Sequence, residues 1–132
     1  MTRLIGNSDP RVVAAIHEAA ALEVAGESKA ALSKLETVIE DVPEASAPRA
    51  YLAWFLSASG DHGEAVRHAR RAVELSERSE RASLVLFHVL MKAGLTEFAT
   101  SELQRFLEIR DSEEHTALLN QLDARRGQGS TE

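Results

Sequence analysis

Three of the seven glycines, Gly26, Gly60 and Gly94, lie 34 residues apart, and this spacing constrains the fold more than any other feature. Other positions fall into step on the same register: Leu22, Leu56 and Leu90; Ala31, Ala65 and Ala99; Glu40, Glu74 and Glu108. Ile39, Val73 and Leu107 repeat conservatively. A fixed period of this length marks an array of stacked supersecondary units, each too small to bury its apolar face without a neighbour.

Apolar residues recur at helical spacing on both sides of each glycine. This predicts helices over residues 11–25, 47–59 and 80–93 before the glycines, and over 28–42, 62–77 and 96–110 after them. Ser46 ahead of Ala47 and Pro48 reads as an N-cap with proline in the first turn. Asp61 with Glu64, and Asp111 with Glu114, read as capping boxes. Each glycine follows its helix where a left-handed residue costs least, so each helix can fold back on the next. A seventh helix over about 112–125 caps the array, and the polar tail 127–132 is expected to be disordered. Composition agrees, with 44% apolar and 27% charged residues, which excludes wholesale disorder, and only 5% aromatics in an alanine-rich chain, which favours helix over sheet. The expectation is an all-α domain over 1–126, an α-solenoid of three antiparallel helix pairs (about 12–45, 46–79 and 80–113) plus a C-terminal capping helix.

Two helices per 34 residues with this pattern resemble the tetratricopeptide repeat family over roughly residues 12–113. The first unit carries Ala19, Leu22, Ala31, Leu35 and Val38, with Pro43 at the family's closing proline. The second carries Leu52, Ala53, Leu56, Ala65, Ala69 and Ala72; the third carries Leu86, Leu90, Ala99 and Leu103. Departures mark the repeats as degenerate. Ala15, Arg49 and Ser83 replace the early aromatic, Glu18 stands where the family prefers Leu, and Glu77 and Asp111 replace the proline. Phe87 and Phe106 fill sites that are usually small, which implies a splayed or repacked third pair.

Catalytic patterns are missing from the sequence. No two of the five histidines lie three or four apart, and no phosphate-cradling glycine loop or nucleophile elbow occurs. The carboxylates fall on the expected outer helix faces. Without cysteine, neither a disulfide nor a thiolate metal site can form. The expectation is a non-enzymatic chain with no cofactor. A net charge of −6 argues against general nucleic-acid binding. Arg67, Arg70, Arg71 and Arg78 could meet phosphate, but without interleaved aromatics they read better as a solvated face, with Glu74 bridging Arg70 and Arg78. Residues 12–25 are apolar but broken by His17, Glu18 and Glu23, so they form neither a signal-peptide core nor a membrane span. A cytoplasmic chain is expected.

The family resemblance implies a concave groove lined by the first helix of each pair. Helical spacing puts Val13, Ile16, Ala20, Glu23 and Val24 on one face of the first of these helices. Ala47, Ala50, Trp54, Ser57 and Ala58 share a face of the second, and Arg81, Leu84, His88, Met91 and Lys92 a face of the third. Trp54, the single tryptophan, falls mid-groove between Ala20 and His88, with packing between helices as its alternative setting. Family members that clamp acidic chaperone tails carry several basic and Asn residues there. Here Ile16, Ala20, Tyr51 and Val85 occupy such positions and only Arg81 is basic, so that clamp is not expected. An apolar groove with Arg81 and Lys92 at one end suits a peptide or amphipathic helix of a partner protein. The implied function is an adaptor or chaperone-like interaction module, similar in size and acidity to bacterial secretion chaperones built from three such repeats. A regulatory fragment of a larger enzyme is disfavoured by a chain that reads as complete from Met1 to its polar tail. The first helix is apolar nearly all round, so either residues 1–10 or another chain should cover it, and the structural alternative is a self-associating module whose apolar groove and first helix form a homodimer interface.

Overall fold

The computed structural model describes residues 5–130, and every regular element among them is a helix. In order these are α1 (Ile5–Ser8), α2 (Pro10–Val24), α3 (Ser28–Asp41), α4 (Ala47–Ala58), α5 (His62–Leu75), α6 (Glu80–Lys92), α7 (Thr96–Ile109) and α8 (Glu113–Ser130). None of them is long and apolar enough to cross a membrane. Helices α2 and α3, α4 and α5, and α6 and α7 pack as hairpins, while α2 also meets α4 and α4 meets α6. This packing is consistent with a helical repeat.

One turn closes all three hairpins. Gly26, Gly60 and Gly94 take φ of 81°, 93° and 80°, the left-handed region that L side chains avoid. The following amides, of Glu27, Asp61 and Leu95, donate to the carbonyls of Leu22, Leu56 and Leu90 at 2.8, 2.9 and 2.9 Å. The glycine amides donate to Glu23, Ser57 and Met91, completing the two-bond Schellman closure. The repeated leucine therefore supplies both an apolar side chain and the carbonyl that ends its helix.

Ala31, Ala65 and Ala99 are fully buried at the start of α3, α5 and α7, where a small side chain lets the paired helices approach. Leu35, Leu52, Leu90 and Leu103 fill the space between layers. Leu56 packs against the core clusters on both sides of it, joining the first pair to the rest. Phe87 and Phe106 are buried, and α6 and α7 still pack together. The Phe106 ring is stacked on His115 of α8, with centroids 4.2 Å apart.

Several local expectations are corrected. Asp61 makes no side-chain cap, because its backbone is already committed to closing the preceding turn and Glu64 is drawn to Arg67 at 2.8 Å. Ser112, not Asp111, caps α8: its Oγ accepts the His115 amide at 3.1 Å, and it is buried while Asp111 is exposed. Ser46 holds the N-cap position of α4, but its hydroxyl meets Ser76 Oγ at 2.8 Å. The Ala47 amide is satisfied instead by Asn7 Oδ1 at 2.9 Å, from 40 residues upstream. Helix α8 continues to Ser130 rather than ending near 125, because no proline intervenes and isolated glycines weaken a helix without breaking it. Arg126 anchors this extension to Glu97 at 3.1 Å. Residues 131 and 132 of the expected tail lie outside the described residues.

Asp9 caps α2 through the Arg11 amide at 2.8 Å, with Pro10 opening the helix. Gly6 and Asn7 pack on the α3–α4 connection, where a Cβ on Gly6 would come within 3.2 Å of the Ala45 backbone. These lead residues do not bury Val13 and Val24 of α2, which are 43% and 89% exposed. Residues 1–4, part of the lead expected to cover this helix, lie outside the described residues.

Candidate functional site

Trp54 is 48% exposed, so its ring forms groove surface rather than core. It is placed there by the register of α4. Ala50, Ala53 and Ser57 turn inward, and Trp54 follows Ala53 onto the open side. Its ring stands edge-on to His88 of α6 with centroids 6.0 Å apart.

Beside Trp54 lies a pocket of about 390 Å³ whose walls come from the first helix of each pair. Ala20, Glu23 and Val24 supply the α2 wall, Ala50, Tyr51 and Phe55 the α4 floor, and Arg81 and Val85 the α6 wall. Its size falls within the range of pockets that hold ligands, about 300–1,000 Å³. Three neighbouring hollows extend it. One reaches the start of α2 through Val13 and Ile16 and shares Ala50, Tyr51 and Arg81. A second lies between the C-terminal parts of α4 and α6, lined by Ser57 and Ala58 and by His88, Met91 and Lys92. The third joins Leu84 and His88 to Glu80 and Glu114. Trp54 lines the central pocket and the last two hollows.

The structure thus brings the sequence-predicted residues of all three helices onto one continuous surface. Ala50 and Ser57 contribute little area because both are buried in the α4 contacts. Arg81 and Lys92 do not sit together at one end. They open and close α6, eleven residues and therefore roughly 16 Å apart along the helix axis. The sequence reading missed Phe55, which meets Tyr51 edge-on at 6.3 Å and deepens the aromatic floor. The i, i+4 spacing of Tyr51 and Phe55 was the available signal.

Polar groups are sparse and peripheral. Arg81 Nη1 donates to the Tyr51 hydroxyl at 3.2 Å, and Glu23 accepts from Ser28 Oγ at 2.9 Å. A ligand in the central pocket would meet an apolar, aromatic surface with Arg81 and Glu23 on its walls.

On α5, Arg67, Arg70 and Arg71 are exposed, and Arg78, expected on the same helix, is exposed in the connection to α6 because α5 ends at Leu75. Glu74 pairs with Arg71 at 3.1 Å, not with Arg70, whose guanidinium lies 5.5 Å from the Phe98 ring centre. His68 is half-buried; burial first, then the charges of Arg67 and Arg49, lower its pKa, against a weaker opposing effect of Glu64.

One carboxylate departs from the expected outer-face placement. Glu102 is 7% exposed, held by Arg105 through bonds of 2.9 and 2.7 Å and by Ser83 Oγ at 2.7 Å. Ser83 also touches His115 Nε2 at 2.9 Å, but both residues are fully buried, so no substrate reaches that pair in this structure. No protein-family model and no curated protein sequence matches this chain.

Proposed function

We propose that this chain is a non-catalytic protein-interaction module, a tetratricopeptide-like solenoid of three helix pairs with α8 as its cap. It takes a peptide or amphipathic helix of a partner protein along α2, α4 and α6. The observation that carries this reading is the half-exposed Trp54 above an aromatic floor, at the centre of a groove lined by all three first helices. Tryptophan concentrates in interface hot spots, where a large ring buries much area at small entropic cost. Met91 adds a side chain that adapts to irregular apolar surfaces. The adaptor or chaperone-like role and a cytoplasmic setting belong to the same reading.

Affinity capture from the source organism, using wild type beside Trp54→Ala and Leu84→Glu, tests it. Both variants should keep wild-type helicity by circular dichroism and lose the captured partner. Capture surviving in both would reject the groove.

Exposed Val13 and Val24 on α2 favour a second reading, in which a second copy covers the first unit as a homodimer. Light scattering across a dilution series decides it. A strict monomer down to micromolar concentration would reject the dimer.

A further inference from the structure

The buried contact between Ser83 and His115 belongs to a longer chain of polar groups that ties α8 to α6 and α7. Glu102 Oε2 accepts from Ser83 Oγ at 2.7 Å, and Ser83 Oγ meets His115 Nε2 at 2.9 Å. On the other side of the ring, His115 Nδ1 meets Ser112 Oγ at 2.8 Å, and Ser112 Oγ meets Glu80 Oε2 at 2.6 Å. His115 and Ser83 are 0% exposed, and Ser112 and Glu102 are 7% exposed. Water therefore has little room to mend a faulty contact, and an unmade buried hydrogen bond carries its full desolvation cost.

Four contacts require four protons. Two hydroxyls and a neutral imidazole supply three, and ionised carboxylates supply none. With three protons, one contact would set lone pair against lone pair. The two oxygen–oxygen distances, 2.7 and 2.6 Å, are those of hydroxyls donating to carboxylates. Both hydroxyl protons are thereby committed outward, which leaves each serine only acceptor capacity toward the ring. The Ser112 oxygen has room for this role: it accepts the His115 amide at 3.1 Å and keeps a second lone pair for Nδ1.

We propose that His115 is held doubly protonated, donating from Nδ1 to Ser112 and from Nε2 to Ser83, so that one bound proton latches the C-terminal helix to the third helix pair.

The charges facing the ring fit this assignment. Glu80 reaches it from α6, Glu102 with its partner Arg105 from α7, and Glu114 from α8. Arg110, beyond α7, lies 5.8 Å from the centre of the Phe106 ring that stacks on His115. With the imidazolium present, the buried Glu102 and His115 and the half-buried Glu80 and Arg105 sum to zero charge; without it, the group carries −1. Burial first, and then Arg105, lower the pKa of His115, and Glu80, Glu102 and Glu114 oppose this without reversing it, so electrostatics alone favours the neutral ring. The hydrogen-bond requirement decides for the charged ring, since deprotonation leaves a contact unmade as well as a charge uncompensated. Glu102 already accepts from Arg105 and Ser83, and Glu80 from Ser112, so the fourth proton is assigned to the ring.

Nitrogen-15 NMR of the full chain labelled at histidine tests the assignment. At pH 7.5, where an ordinary imidazole is mostly neutral, both His115 nitrogens should carry protons. A bare ring nitrogen on His115 in the folded chain at that pH would overturn the proposal. Glu80→Gln supplies a second readout, because an amide donor at position 80 provides the missing proton and leaves a neutral imidazole fully satisfied. Above an unfolded value near 6.5 the folded wild-type chain holds one extra proton. Its unfolding constant should then rise with pH relative to Glu80→Gln, by up to about tenfold per pH unit. Parallel curves for the two proteins between pH 7 and 9, or a wild type that gains stability relative to Glu80→Gln, would refute the latch.

Discussion

Gly60 and Gly63 lie three residues apart and make opposite demands. Neither has an atom within 4 Å of where a Cβ would stand, so only backbone conformation separates them. At φ +93°, Gly60→Ala must force an L residue into the left-handed region, and should destabilise the fold by about 1–2 kcal/mol. Gly63 is helical, and Gly63→Ala should stabilise by roughly 0.5–1 kcal/mol through the unfolded chain's lost entropy. Urea unfolding of the two variants checks both signs. The glycine signal was legible because chirality restricts this φ locally, whatever surrounds it. Glu102 was not legible, because its burial depends on Arg105, Ser83 and His115, which converge from three helices. Phe55 was missed for a related reason: half-buried beside a more conspicuous tryptophan, it shows its part only once α2 is placed beside it.

Among the helices, boundaries follow from hydrogen bonds that the sequence encodes unevenly. The repeated Gly and Leu marked the ends of α2, α4 and α6, whereas the start of α4 depends on a residue far away. Asn7→Ala removes the acceptor for the Ala47 amide and the donor to Ser46 Oγ, so it should cost about 1 kcal/mol in thermal or urea unfolding. Asn7→Asp should restore the cap at Ala47. Helix α5 brings a pH response of its own. Burial, with help from Arg67 and Arg49, lowers the pKa of His68 below its ordinary 6.5. The folded state therefore resists protonation that the unfolded chain accepts. Stability from this residue is present above about pH 6.5 and is lost as pH falls from there through the folded value. His68→Gln should flatten that acid-side loss in pH-dependent unfolding. The effect lies on the opposite side of pH 6.5 from the His115 latch, so the two can be measured apart.

Across the whole molecule, the 34-residue period set the order and pairing of the helices, and helical spacing, projected onto the groove that the family resemblance implied, grouped the candidate lining residues. Two things were beyond it. The separation of Arg81 and Lys92 followed from counting along α6, but its meaning, one cation at each end of a roughly 16 Å strip, needed the strip itself. The cap on the third pair needed side chains as well as periodicity, since the Phe106 ring stacks on His115, whose nitrogens meet Ser83 and Ser112. In the proposed function, the groove around Trp54 receives a segment of a partner protein. The single tryptophan makes this directly observable, as its emission and acrylamide quenching can be followed while a captured partner segment is titrated in. A saturable blue shift with protection from quenching is the predicted result. Binding that saturates by calorimetry while Trp54 emission and quenching stay unchanged would contradict it.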